Sequence, residues 1–190
     1  REKVGYGLGD MASNFYMGFF GLFLLYYYTD VFGISPAAAA TMLLVTKIVD
    51  AVSDPAMGLI SDRTDSRWGK YRPYLLWVAI PYAILGYLLF LGPDLSDTGK
   101  LIYAYVTYTL VMLAYTAINV PYSALLAVIS PVAAERTKAT QFRFIFASLG
   151  TLCVGAFATP LVGLLGGGNE VLGFRLTIVL FAVLSVAIFW

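Results

Sequence analysis

The length of its uninterrupted apolar runs limits the fold of this chain more than any other feature. They fall at about residues 11–29, 37–60, 71–92, 101–129, 139–165 and 173–190, and each can hold the roughly 20 residues with which an α-helix crosses a bilayer. The runs are continuous and rich in Leu, Ala and Phe, without the short alternating segments of membrane strands, so six transmembrane helices are expected. Composition agrees, with 60% hydrophobic and only 12% charged residues, where soluble domains carry about a quarter charged. The expected fold is an all-α transmembrane six-helix bundle over 1–190. The first run holds Asn14 and lacks a small-residue cleavage pattern, so it is expected to be a retained span.

A net charge of +1 gives no global pull on nucleic acid or acidic ligands. The single cysteine, Cys153, excludes an internal disulfide and a cysteine-ligated zinc site, and the absence of histidine removes the usual proton shuttles and metal ligands. No cofactor is expected. The placement of Lys and Arg is informative. Arg1 and Lys3 precede the first run, Arg63, Arg67, Lys70 and Arg72 follow the second, and Arg136 and Lys138 lie between the fourth and fifth. The alternate connections hold Lys100 and, just after a glycine loop, Arg175. The positive-inside rule makes the first set cytoplasmic. An integral protein of the cell (inner) membrane with both ends of this chain in the cytoplasm is expected. The chain starts without Met and stops at Trp190 inside an apolar run, which reads as a fragment.

Turn and cap signals punctuate the runs. Ser35 and Pro36 cap and start the second span, Pro73 follows the basic loop, and Gly92-Pro93-Asp94 and Gly166-Gly167-Gly168-Asn169 read as turns. Tyr26-Tyr27-Tyr28-Thr29-Asp30 ends the first span as an interfacial aromatic belt or, more sharply, a platform for a sugar ring. The pairs Gly5 with Gly9 and Gly163 with Gly167 are spaced for close helix contact.

Charges inside the second span need a reason, because each costs roughly 2.5–3.5 kcal/mol at mid-bilayer on insertion scales. Lys47, Asp50 and Asp54 follow at spacings of three and four, which at about 100° per residue place them on one helix stripe. The stripe either neutralises itself, Lys47 against Asp50, or forms a site for a proton or a sodium ion, since paired carboxylates offer hard oxygen ligands and raise one another's proton affinity. Pro55 directly after Asp54 and Pro121 beside Asn119 each free a backbone carbonyl one turn back, or simply kink their helices. Arg143 enters the fifth span and either snorkels to the headgroups or bonds a polar ligand or an aspartate. Asn14, Tyr115, Asn119 and Tyr122 complete a set of interior donors and acceptors. Asp62, with Arg67 and Arg72, is placed to contact helix ends as a cytoplasmic latch, or only to set topology.

Enzyme readings find little support. Gly7-Leu8-Gly9-Asp10 matches the GxGD pattern of intramembrane aspartyl proteases, but the aspartate-bearing span that should precede it is not in this sequence, nor is a Pro-Ala-Leu motif. Gly69-Lys70 lacks the remainder of a phosphate loop.

Four segments carry a family resemblance: Tyr6-Gly7-Leu8-Gly9-Asp10, Tyr26 through Ser35, Asp50-Ala51-Val52-Ser53-Asp54-Pro55 with Gly58, and Arg67-Trp68-Gly69-Lys70-Tyr71-Arg72-Pro73. Together, and in this order, they resemble the glycoside-pentoside-hexuronide cation symporters, the melibiose permease-like branch of the major facilitator superfamily. The resemblance covers essentially the whole chain and matches the amino-terminal half of such proteins. It implies a twelve-helix fold of two six-helix bundles with the carboxy-terminal bundle absent from this chain, and alternating access around a substrate held between them. It further implies cation-binding roles for Asp50, Asp54 and Asn119, a charge-partner role for Lys47, and substrate-binding roles for Asn14, Tyr115 and Arg143. Lys47 stands where the branch's best-known member has arginine, while Asn14 and Asn119 each stand where it has aspartate. Arg143 lies within about one residue of its fifth-span arginine. The implied partners are a sugar or glycoside and the lipid bilayer, and the implied function is cation-coupled symport. A non-transporting six-helix assembly subunit and a lipid carrier of the same superfamily branch are the alternatives.

Overall fold

The computed structural model describes residues 2–129 and 133–189; Arg1 and Trp190, which bear on the expected orientation and on the end of the chain, lie outside them. Among the described residues the elements are α1 (Glu2–Tyr26), a π turn (Tyr27–Val31), α2 (Pro36–Arg63), α3 (Arg72–Leu89), α4 (Asp97–Ile129), α5 (Ala133–Gly166) and α6 (Glu170–Phe189). All six helices are long and apolar enough to cross a membrane. Ser35 caps α2, its hydroxyl accepting from the amide of Ala38 at 3.3 Å, and Pro36 opens the first turn, where a missing N–H costs nothing.

Helix α1 starts well before the apolar run at 11–29, because its first turns are held by packing rather than by hydrophobicity. Gly7 lies against Phe146 and the carbonyl of Phe142 on α5, and Gly9 lies under the ring of Tyr122 on α4. The most extensive packing joins α1 to α5; α3 packs on α4 and α6, α2 on α4, and α6 on α1 and α5. Phe19, Phe20, Phe90, Phe174 and Phe181 stack edge to face and offset inside the bundle, the arrangement that aromatic quadrupoles favour. Helices α1 and α4 are the most enclosed, whereas α2 and α5 leave most of their surface open. Leu44, Ile48 and Val52 on α2 and Phe144, Leu152 and Phe157 on α5 are exposed.

Two readings of the sequence need correction. Of the expected glycine contacts, Gly5, Gly163 and Gly167 meet open space. Close approach is instead made by Gly7, by Gly18 on Thr151, by Gly150 on the backbone of Met11, and by Gly173 on the carbonyl of Val162. Spacing alone names residues that share a face; it does not say which face meets a neighbour. The tyrosine run is likewise not a belt as a whole. Tyr27 and Tyr28 are fully buried, and only Tyr26 stays outside, its hydroxyl 3.3 Å from Glu170. The π turn, marked by the bond from the Phe32 amide to the Tyr27 carbonyl at 2.7 Å, adds a residue to one helical turn and so rotates the side chains beyond it about the axis. Tyr27, at the start of that turn, points inward, where its hydroxyl donates to the carbonyl of Phe90 at 2.9 Å. Arg175 donates to the carbonyl of Leu91 and ties α6 to the end of α3.

Candidate functional site

The stripe on α2 forms as its spacing requires. Lys47 Nζ lies 3.2 Å from Asp50 Oδ2, with Lys47 exposed and Asp50 largely covered. The other oxygen of Asp50, Oδ1, is buried without a hydrogen-bond partner among the described residues. One turn on, Asp54 sits at an open face of the bundle and accepts a hydrogen bond from the hydroxyl of Thr116 on α4 at 2.9 Å.

Thr116 opens a second stripe. Thr116, Asn119 and Ser123 lie three and four residues apart along α4, so they line one face. That face is shared between two neighbours: Thr116 serves α2, while Asn119 and Ser123 serve α5. The guanidinium of Arg143 donates from Nη1 to Ser123 Oγ at 3.1 Å and from Nη2 to Asn119 Oδ1 at 3.4 Å. Its Nε lies 3.2 Å from Asp10 Oδ1 on α1, and its plane rests over the ring of Tyr122, 5.1 Å from the centroid. Arg143 therefore does not snorkel; it closes an ion pair at the junction of α1, α4 and α5. Beneath it Tyr6 and Tyr122 stack at 4.6 Å and exchange hydroxyl-to-carbonyl bonds.

Asp10 is the site residue that a reading of single residues passes over. Its signal is weaker than that of Asp50 and Asp54, because it stands one residue before the apolar run at 11–29, and its motif matches an enzyme pattern. Thr116 and Ser123 are also missed, since hydroxyls in membrane helices are common.

Of the remaining expected site residues, Asn14 donates to the carbonyl of Asp10 at 2.8 Å and accepts from Thr151 of α5 at 3.5 Å. Tyr115 is partly buried and packs on Tyr82 of α3. Asn119 has no hydrogen bond to Asp54 among the described residues; its amide oxygen serves Arg143. The three latch residues stay within the connection between α2 and α3 and its flanks. Asp62 accepts from the hydroxyl of Tyr71 at 2.8 Å, Arg67 lies over Trp68, and Arg72 stands in the first turn of α3. The Asp62 carboxylate, through that hydrogen bond, holds the Tyr71 phenol above its ordinary range.

The charges sum in a simple way. Lys47 pairs with Asp50 and Arg143 with Asp10, and among the described residues Asp54 is the site carboxylate left without a basic partner. Its carboxylate and the Thr116 hydroxyl are hard oxygen donors, which suit a monovalent cation or a proton.

Comparison with known proteins gives a consistent picture. Residues 5–190 match the family described as MFS/sugar transport protein. The inner membrane symporter YicJ of Escherichia coli K12 is 47% identical over 189 residues, covering 100% of this chain and 40% of that protein. The putative glycoside/cation symporter YagG of the same organism is 47% identical over 174 residues, covering 92% of this chain and 38% of its own length. The isoprimeverose transporter of Lactiplantibacillus pentosus is 38% identical over 191 residues, again 100% of this chain and 40% of that protein. The chain thus spans about two fifths of the length of these curated relatives and corresponds to their N-terminal part. With its six membrane-spanning helices and this match across nearly all of its length, the chain belongs to the MFS/sugar transport protein family.

Proposed function

We propose that the protein is a secondary active transporter that carries a sugar or glycoside together with a monovalent cation by alternating access, without making or breaking a bond. In this reading the six helices act with a second bundle of the full-length protein, and the substrate lies between the two. The single observation that carries the reading is the α4 face, on which Thr116 holds the Asp54 carboxylate while Asn119 and Ser123, one and two turns on, hold Arg143. A cation neutralising Asp54 and a sugar bonding Arg143 would both act on the same helix. Each would then favour one arrangement of α4 between α2 and α5, and each would raise the other's affinity by an equal factor.

Asp50, Asp54 and Thr116 form the cation site, with Lys47 as charge partner; Arg143, Asn119 and Tyr115, with Asn14 one turn beyond Asp10, face the sugar. The proton is the proposed coupling ion. One unpaired carboxylate is enough for a proton, whereas a bound sodium gains less Coulomb attraction here than it would among three carboxylates. The excess of Lys and Arg after α2 and between α4 and α5 supports the reading that both ends of this chain face the cytoplasm, in an inner membrane.

The test uses the full-length transporter in sealed vesicles. Sodium-free uptake under an imposed inward pH gradient is expected to accumulate sugar, and Asp54→Asn is expected to abolish accumulation while counterflow continues. No accumulation without sodium, with full activity on its addition at constant pH, overturns the proton. Uphill uptake by Asp54→Asn overturns the cation site.

A further inference from the structure

The glycine-rich start of α1 brings a carboxylate to the bundle centre that the transport scheme above leaves without a task. We propose that Asp10 is a positioning residue for sugar recognition: by taking the Nε–H of Arg143 it fixes the guanidinium so that its two terminal nitrogens face the sugar-binding side of α4. The inference rests on the symport reading given above.

Each residue of Tyr6-Gly7-Leu8-Gly9-Asp10 except Leu8 has a visible part in this contact. A side chain at Gly7 would run into Phe146, and one at Gly9 would lie 2.8 Å from the Tyr122 ring. Their absence lets α1 lie close to α4 and α5. Tyr6 then stacks on Tyr122 and is bonded to it in both directions. Asp10, one residue past that seat, meets Nε of Arg143 at 3.2 Å. The pattern that resembles a protease motif is thus a close-packing device with a carboxylate at its end.

The ion pair is asymmetric in a way that mere stabilisation does not require. The Asp10 side chain is 9% exposed and that of Arg143 22%, so the carboxylate is the deeper partner. The partners of the terminal nitrogens are replaceable: Ser123 is exposed, and the bond to Asn119 is long at 3.4 Å. Arginine has five N–H donors in a rigid fork. One hydrogen on Nη1 and one on Nη2 are engaged and Nε lies in the ion pair, which leaves a hydrogen on each terminal nitrogen for the adjacent hydroxyls of a sugar ring. Without Asp10 the long side chain can rotate about its stem, and the two-pronged donor loses its aim. A buried ion pair is also a poor device for stability, since apolar replacements often do as well.

The experiment measures sugar counterflow and uptake kinetics by the full-length transporter, with isoprimeverose and the methyl glycosides of xylose, glucose and galactose as probes. Asp10→Asn is expected to raise KM at least about tenfold, as loss of a charge-assisted bond does, with Vmax at saturating sugar within about twofold. Asp10→Glu, which keeps the charge and the fold, is expected to give an intermediate KM. In an Arg143→Gln background Asp10→Asn is expected to add nothing, because Asp10 acts through the guanidinium. Equal KM for wild type and Asp10→Asn overturns the inference, as does an Asp10→Asn effect of the same size in both backgrounds, or a fall in Vmax and thermal stability at unchanged KM. Wild-type protein that moves none of the probes overturns instead the symport reading on which the inference stands.

Discussion

The hydroxyl of Thr116 lies 2.9 Å from Oδ1 of Asp54, so the carboxylate that α2 leaves without a basic partner among the described residues is held by a neutral donor on α4. A hydrogen bond to a charged group is worth about 1.5–3 kcal/mol. Thr116→Val keeps the shape and removes the donor. It is expected to move the cation concentration for half-maximal sugar uptake by about tenfold or more, with sugar affinity at saturating cation unchanged and Thr116→Ser close to wild type. Cation dependence that is the same in wild type and Thr116→Val would show that the contact has no part in coupling.

The glycines of α1 differ in what surrounds them. An alanine methyl at Gly9 would sit 2.8 Å from the Tyr122 ring, whereas one at Gly5 would meet nothing within 4 Å. Gly9→Ala is expected to destabilise the protein by about 1–3 kcal/mol through overpacking, read as a lower Tm in detergent, and Tyr122→Leu is expected to restore part of the loss. Gly5→Ala is expected to be neutral or stabilising by up to about 1 kcal/mol, because alanine favours the helix. The same Tm for both variants would contradict the α1–α4 contact.

Adjacent tyrosines at the end of α1 are expected to respond unequally. Tyr27→Phe removes the buried hydroxyl bond to the Phe90 carbonyl and is expected to cost about 1 kcal/mol, the net value of such a bond. Tyr26→Phe, at an exposed position, is expected to leave Tm unchanged. A larger loss in Tyr26→Phe than in Tyr27→Phe would return the run to an interfacial belt.

Tyr71 gives a pH signature outside the membrane. Its hydrogen bond to Asp62 favours the neutral phenol and raises its pKa above the ordinary value. The contact therefore stabilises the fold fully below the unfolded phenol's pKa near 10, and that contribution is lost as pH rises through the higher folded value. The effect is small, because the pair is exposed and screened. Ultraviolet titration of wild type against Tyr71→Phe is expected to assign this tyrosine a late phenolate, and Asp62→Asn is expected to bring it earlier. An early phenolate in wild type would contradict the contact.

The features legible in the sequence are those that local physics determines. Six apolar runs become six helices, Ser35 and Pro36 mark the start of α2, and the spacing of Lys47, Asp50 and Asp54 yields the ion pair on one stripe. The features that are not legible depend on which faces meet. Nothing near Asp10 announces that Arg143 will reach it, and the small-residue spacing of Gly5 with Gly9 does not reveal that only the second is covered. The π turn after Tyr26 is hidden for a different reason. Hydropathy measures how apolar a run is, and an extra residue in one turn changes its phase without changing that average.

The pairing of residue 10 with residue 143 also has a consequence for biosynthesis. Helices enter the membrane in order as the ribosome delivers them, at about 5–20 residues per second, so the first helix arrives with its carboxylate on the order of ten seconds before the arginine of the fifth is made. Through that interval the carboxylate is without the arginine that pairs with it in the folded chain. Helix α1 is therefore made well before the partner that settles it, and its assembly waits on α5.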